Sequence, residues 1–367
     1  MKNDGIETVI GVDLGDKHSD LFVIHRNGGE CERMRVPTTA VALKRLLGGF
    51  TGKVRTTIEA GTHSPWVSRL LEDLGHEVVV ANPRMLRLIY ADNHKDDETD
   101  CEKLASLADY NKNLLSPVEH RESEFQTDLA VVRARDVVVS SRTKLINHVR
   151  GVLKSNGTRA PTSSAGSFTS KVRPMLPEAL GPALFPLLDQ IDGMTTTIRA
   201  YDKQVLQLNA KHVATAQLRQ IPGVGPLTAL AFVLILANPL RFKRSRDVGS
   251  YVGLTTRRSQ SGGCDPELRI TKSGDRLLRK LLVQSAQYIL GPFGSESDLR
   301  TWGLALAKRG KKNAKKRAVV AVARKLSVLL HRLWITGKPY EPLRANKTPP
   351  EPVAESNAIG LPQALPA

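Results

Sequence analysis

Apolar positions fall into short strand-length runs early in the chain and change to helical spacing through most of the remainder. Thr8–Val12, Asp20–His25 and Glu30–Val36 read as strands, and Asn27-Gly28-Gly29 supplies the turn that a hairpin between the last two requires. Ala40–Leu47 has helical spacing, and Lys53–Glu59 is the next strand. Pro65–Leu74 places Trp66, Leu70, Leu71 and Leu74 at helical intervals and stops at Gly75. Glu77–Ala81 is a buried strand, and Pro83 to Asp109 is mostly helical. Strands first, then strands alternating with helices, predict a mixed sheet flanked by helices. Asp13 falls on the first, central strand and Glu59 on the strand beside it.

Beyond this α/β region the pattern is helical. Residues 124–156 form a long helix in which Leu129, Val132, Val139, Leu145, Val149 and Val152 recur near a coiled-coil period, with Arg133, Arg135, Arg142, Lys144 and Arg150 interleaved. Thr162–Thr169 reads as a Ser/Thr/Gly linker, and Ala179–Ala210 as a second long helix packed antiparallel on the first. A further domain opens near Ala216. Its Ile221-Pro222-Gly223-Val224-Gly225-Pro226 has the pattern of a helix-hairpin-helix turn, where Gly223 and Gly225 let backbone N–H groups approach a phosphate. From Pro339 onward seven prolines and no periodicity predict a disordered tail. The expected domains are 1–122 (catalytic α/β), 123–213 (helical coiled-coil connector), 214–337 (mostly α, with the hairpin turn) and 338–367 (tail).

Charge changes the picture from fold to partner. Lys and Arg number 54 against 36 acids, a net charge of +18, which points to a polyanion. Lys308, Arg309, Lys311, Lys312, Lys315, Lys316 and Arg317 crowd into one stretch before the amphipathic helix Ala318–Trp334 and are expected to meet a nucleic-acid backbone. Aromatic residues make up only 5%, too few for a large base-stacking platform. Cys31, Cys101 and Cys264 form neither a disulfide framework nor a zinc spacing, and no apolar run reaches membrane-spanning length. A cytoplasmic, nucleoid-associated bacterial location without membrane contact is expected.

Against that background four acids stand out. Asp13 and Glu59 close strand runs, and Asp97 and Asp100 lie three residues apart in Lys95-Asp96-Asp97-Glu98-Thr99-Asp100. Carboxylates are ligands for Mg²⁺, which shares its coordination with substrate phosphates. Two such ions about 4 Å apart stabilise both the attacking and leaving oxygens of a phosphodiester exchange. Asp96 rivals Asp97, being i,i+4 from Asp100 on the same helical face. Asp16, Asp20, Asp92 and Glu98 read as solvated acids, and Cys101 as a packing residue.

The ordered series Gly11-Val12-Asp13, Ile58-Glu59-Ala60, Lys95–Asp100, Arg142-Thr143-Lys144-Leu145-Ile146-Asn147, Ile221–Pro226, Tyr251-Val252-Gly253-Leu254, Ser261-Gly262-Gly263 and Ile270–Arg279 resembles the bridge-RNA-guided recombinases of bacterial insertion sequences, the DEDD transposases. Their relatives include site-specific DNA invertases. The resemblance covers roughly residues 6–335. It implies a RuvC-like RNase H fold for the first domain, with Asp13, Glu59, Asp97 and Asp100 holding Mg²⁺, or Mn²⁺ in its place. It further implies a serine of the last domain that attacks DNA to form a 5′-phosphoserine link. The expected partners are donor and target double-stranded DNA, a guide RNA and further copies of the chain, as a dimer or tetramer. The family's Ser-Ser-Gly-Gly reads here Ser259-Gln260-Ser261-Gly262-Gly263, so Ser261 is the expected nucleophile, with Ser259 and Ser273 in reserve. Lys272, Arg276 and Arg279 are expected beside the cleaved strand. The alternatives are an RNA-independent invertase, a water-using resolvase-like nuclease in which Ser261 has no role, and a non-enzymatic helix-hairpin-helix binding protein.

Overall fold

The computed structural model describes residues 4–89, 97–260, 268–310 and 313–343. Contacts divide the chain into two compact units, Met1–Glu122 and Ser123–Ala367.

The first unit is a five-stranded mixed sheet in the order β3-β2-β1-β4-β5. Its strands are β1 (Thr8–Leu14), β2 (His18–His25), β3 (Glu32–Pro37), β4 (Val54–Glu59) and β5 (Glu77–Ala81), with α1 (Ala40–Leu47) between β3 and β4, α2 (Ser64–Asp73) between β4 and β5, and α3 (Pro83–Ile89) and α4 (Asp97–Asn111) after β5. β1 is antiparallel to β2 and parallel to β4, so it occupies the centre as the sequence predicts. Strand alternation sorts the side chains onto two faces. Ile10, Val12, Leu21, Val23 and Ile58 pack with Leu43 and Leu47 of α1 and Val67 and Leu71 of α2. On the opposite face Val9 and Val79 pack against Leu104 and Ala108 of α4, and Phe22 against Cys101 and Ala105.

Three arginines fix α4 over that second face. Arg55 of β4 is 4% exposed and donates to the Ala108 carbonyl at 3.1 Å while pairing with Asp4 at 2.7 Å and Glu77 at 3.1 Å. Arg26 binds the Asp109 carboxylate at 2.6 Å, and Arg33 of β3 pairs with Glu102. The Arg55 guanidinium holds the Asp4 carboxyl well below the usual carboxylate range.

The second unit is helical. Two long helices, α5 (Ser123–Ser155) and α7 (Gly181–Lys211), run antiparallel, because their polar contacts advance on one as they retreat on the other. Asp128 meets Lys211 and His212 at 2.8 Å, Arg135 meets Asp202 at 2.7 Å, and Arg142 donates to Thr195 at 3.1 Å. The expected linker is partly helical: α6 (Phe168–Val172) begins in it, and the fully buried Phe168 and Val172 plug the space beside Leu153, Leu184 and Leu188. Burial of those apolar groups outweighs the weak helical signal of the Ser/Thr-rich flank.

The remaining helices are α8 (Ala214–Leu218), α9 (Pro226–Leu236), α10 (Asp247–Tyr251), α11 (Arg276–Leu290), α12 (Asp298–Ala307) and α13 (Ala314–Thr336). Every residue of α9 from Thr228 to Leu236 is buried, so this helix, apolar but for Thr228, is the centre of the unit, enclosed by residues of α5, α7, α11 and α13. Arg133–Asp275 (3.2 Å) and Asp136–Lys280 (2.5 Å) tie α5 to α11. Among the described residues no helix is long and apolar enough to cross a membrane.

Candidate active site

The strand acids stand where the chain reverses direction across the sheet. From β1 it runs outward through β2 and β3, then returns on the other side of β1 as β4 and β5. Such a switch point opens a crevice beyond the carboxyl ends of the parallel strands, where ligands of open α/β sheets bind. The parallel ladder pairs Val12 with Ile58, and Asp13 and Glu59 are the next residues on each strand. Asp13 also pairs across β1 and β2 with Asp20, whose carboxylate is 3.7 Å from Arg35 of β3.

α4 supplies the third wall. A Cβ added to Gly11 would overlap the Cys101 carbonyl oxygen and lie 2.6 Å from the Ala105 nitrogen. Only glycine lets the helix backbone come this close to the strand. Asp13, two residues on, shares the face of Gly11, and Glu59 shares the face of Arg55, whose guanidinium reaches α4. Asp100 sits one residue before Cys101 and 3.8 Å from Lys103. Asp97 is the first residue of α4, and its side chain lies outside the described residues, as does all of Asp96. The Cys101 thiol is pushed up to about 11, chiefly by burial, with the charges of Asp20 and Asp13 adding to the rise and that of Arg33 opposing it. It therefore stays a neutral thiol and packs against Phe22 and Ala105, as the packing role read from the sequence requires. Among the described residues no three acidic, histidine or cysteine side chains already enclose a metal-sized space. The donors on this face are carboxylate oxygens, the hard ligands that Mg²⁺ and Mn²⁺ prefer.

Two features of this edge escaped sequence reasoning. Gly11 looked like an ordinary strand residue, although a glycine inside a strand often marks close backbone approach. His63 follows Glu59 in the loop into α2, and its Nε2 is 3.6 Å from Asp16, in the loop after β1.

In the second unit the predicted hairpin turn joins α8 to α9. Gly223 adopts φ +94° against Tyr288 and Ile289 of α11, while a Cβ on Gly225, the residue before α9, would meet open space. The Ser261 position lies outside the described residues, but the chain on either side is clasped. Thr256 bridges Ile270, Arg257 N donates to the Arg269 carbonyl at 3.0 Å, and Thr271 N donates to the Thr255 carbonyl at 2.8 Å. Gly253 (φ +70°) and Gly274 (φ +76°) interlock below this bridge: a Cβ on the first would sit 2.5 Å from Ser273 N, and on the second would overlap the Tyr251 carbonyl oxygen. Arg279 donates from Nη1 to the carbonyls of Val252 (3.0 Å) and Ser273 (2.9 Å), and burial draws its pKa below the usual arginine value. Arg276 is the first residue of α11, next to its N-cap Asp275, and Lys272 takes a left-handed φ of +55° at the clasp. Ser273 Oγ pairs with Thr271 Oγ1 at 2.9 Å.

Within the basic run, Lys315 and Lys316 are exposed on the first turn of α13, while Lys311 and Lys312 lie outside the described residues. Cations at a helix N-terminus oppose the macrodipole, and no side chain caps this one. Their placement costs helix stability.

Comparison with known proteins defines the class. A model described as Transposase IS116/IS110/IS902 family matches residues 215–297, and a DEDD transposase model of the IS110 type matches residues 10–156. The transposase for insertion sequence element IS1111A of Coxiella burnetii is 28% identical over 258 residues, 68% of this chain and 70% of its own length. The transposase for insertion sequence element IS1328 of Yersinia enterocolitica is 27% identical over 286 residues, 76% of this chain and 83% of its own length. A pilin gene-inverting protein of Moraxella lacunata is 25% identical over 158 residues, 42% of this chain and 48% of its own length. The chain is thus an enzyme of DNA recombination, with a mixed α/β domain followed by a helical region. It belongs to the IS110/IS116/IS902 family of insertion-sequence transposases.

Proposed function

We propose that this transposase cuts and rejoins DNA through a covalent serine intermediate at Ser261, assisted by Mg²⁺ at an RNase H-like acid site and directed to its sequence by a paired guide RNA. The supporting observation is the placement of Asp13 and Glu59 side by side at the switch point, on the face that Gly11 opens to the acid-bearing α4.

Asp13, Glu59, Asp97 and Asp100 would hold the metal, which when bound supplies charge neutralisation at the scissile phosphate and activation of the attacking oxygen. Ser261 Oγ attacks phosphorus, and the bond to the 3′-oxygen breaks. The serine proton ends on that oxygen, leaving a free 3′-hydroxyl and a 5′-phosphoserine. Attack by the 3′-hydroxyl of the exchanged strand reverses these bonds and restores the serine. Two covalent steps conserve the phosphodiester bond energy that hydrolysis would discard. The clasp at Gly253 and Gly274, buttressed by Arg279, anchors both ends of the segment that carries the nucleophile. Lys311, Lys312, Lys315 and Lys316, with the N–H groups at Gly223 and Gly225, would grip nucleic-acid phosphates. Holding the guide–target duplex by shape rather than by base contacts suits a chain with so few aromatics. The α5–α7 pair would serve as a coiled-coil connector through which copies of the chain assemble.

The likeness to a pilin gene-inverting protein supports a second reading, site-specific inversion by the same chemistry without RNA. Sequencing the RNA that co-purifies with the chain separates the two. The chemistry is tested with a nicked DNA substrate: a protein–DNA adduct should survive denaturation and map to the Ser261 peptide, and Ser261→Ala should bind DNA without cutting it. Cleavage with no adduct overturns the covalent mechanism. An adduct on Ser259 or Ser273 keeps the mechanism and moves the nucleophile.

A further inference from the structure

The loop from β4 into α2 is built to hold one histidine ring in one state. Ser64 is fully buried, and its hydroxyl takes a hydrogen bond from Gly61 N and gives one to the Gly61 carbonyl, both at 2.9 Å. Trp66 N donates to the His63 carbonyl at 3.2 Å, and the Trp66 ring packs on the sheet core. The indole of Trp66 in turn lies edge-on to the imidazole, with Nε1 3.2 Å from His63 Nδ1.

An indole N–H can only donate, so Nδ1 is the acceptor, and the neutral ring carries its proton on Nε2. That nitrogen lies where the loops that follow the two acid-bearing strands come close to one another. Asp16 in the loop after β1 is 3.6 Å away, beyond hydrogen-bond reach, and its side chain is 96% exposed. Among the described residues no acceptor lies within hydrogen-bond distance of Nε2. A protonated Nε2 has no lone pair for a metal, so this ring is unsuited to be a fifth ligand. It is suited to donate to an anionic oxygen brought to the carboxyl edge of the sheet.

We infer that His63 binds a non-bridging oxygen of the nucleic-acid phosphate held at the Asp13–Glu59 edge, with Trp66 as the positioning residue that fixes the donating nitrogen. This rests on the acid-site reading above. In the free protein the exposed Asp16 stands in the phosphate's direction and would swing into solvent when the phosphate arrives.

The test uses the full-length chain with its co-purifying RNA and a duplex carrying one end of its element. Single-turnover cleavage is measured across a Mg²⁺ titration for wild type, His63→Ala, His63→Gln, Trp66→Phe and Asp13→Asn, with thermal melting of each. His63→Ala should cut on the order of tenfold or more slowly, in line with removal of a donor to a reacting phosphate. Its Mg²⁺ half-saturation should stay that of wild type. His63→Gln, which keeps an N–H, should recover part of the rate, and Trp66→Phe should fall between wild type and His63→Ala. Should His63→Ala melt early, His63→Gln and Trp66→Phe decide. Wild-type rates in the folded His63 variants overturn the inference if Asp13→Asn is inactive, and a defect that excess Mg²⁺ cures assigns His63 to the metal instead. An Asp13→Asn enzyme that cuts normally removes the acid site itself.

Discussion

Gly11 lies directly beneath the Cys101 carbonyl, with no room between strand and helix for even a methyl group. Gly11→Ala must push α4 off the sheet or unfold the contact. Overpacking of this kind costs about 3 kcal/mol. We expect a urea midpoint lowered accordingly and loss of DNA cleavage even under conditions where the variant stays folded. A variant with full stability and activity would show that α4 need not sit this close.

Asp13→Asn and Glu59→Gln should each abolish recombination and leave thermal melting near that of wild type. Each removes one negative charge from the proposed metal site, which would have to neutralise a phosphorane-like state, without changing side-chain volume. Undiminished activity of either variant in Mg²⁺ would withdraw that residue from the metal site.

Neutralising Lys311, Lys312, Lys315 and Lys316 together should reduce the log–log salt dependence of nucleic-acid binding by about three to four units, since each phosphate contact contributes about 0.9. Because Lys315 and Lys316 oppose the α13 dipole, the variant should melt no lower than wild type, and slightly higher at low salt. An unchanged slope would leave the run as a solvated surface.

A pH dependence is expected from Asp128. Burial pushes its pKa up, but hydrogen bonds from Lys211 and His212 outweigh that, and the net shift is downward. A depressed folded pKa means stabilisation that is complete above the unfolded value, about 3.9, and lost as pH falls through the folded one. Asp128→Ala should destabilise the second unit by about 2 kcal/mol at neutral pH. The gap from wild type should close in acid, as read by denaturant unfolding across a pH series. A gap that persists at low pH would assign the loss to packing alone.

The sheet was legible because period-two runs and turn residues agree. Glu77–Ala81 and Ala40–Leu47 fall where the pattern places them, and the central position of Asp13 beside Glu59 follows from strand order. β1 and β2 extend further toward their shared turn than apolar residues alone indicate, because Asp13 pairs with Asp20 and Leu14 with Ser19 through backbone bonds that are blind to side-chain polarity. α9 reads in sequence as the sequel to a glycine turn, yet its lack of any polar face marks a helix surrounded on all sides. The arginine clamps on α4 and the Trp66–His63 bond were illegible, since they join residues through the fold or by rotamer rather than by spacing. Arg279, expected along the cleaved strand, spends one arm of its guanidinium on two carbonyls of the clasp.

That clasp has a consequence for how such enzymes diversify. Its closing bonds run between residues 253–257 and 269–272, and none of them involves the residues in between. Exchanges confined to the stretch between Arg257 and Arg269 replace no donor or acceptor of these bonds. If the proposed nucleophile Ser261 is kept, a sister enzyme's version of the stretch between these two ends should be accepted by the same frame, since the clasp's own bonds lie outside it.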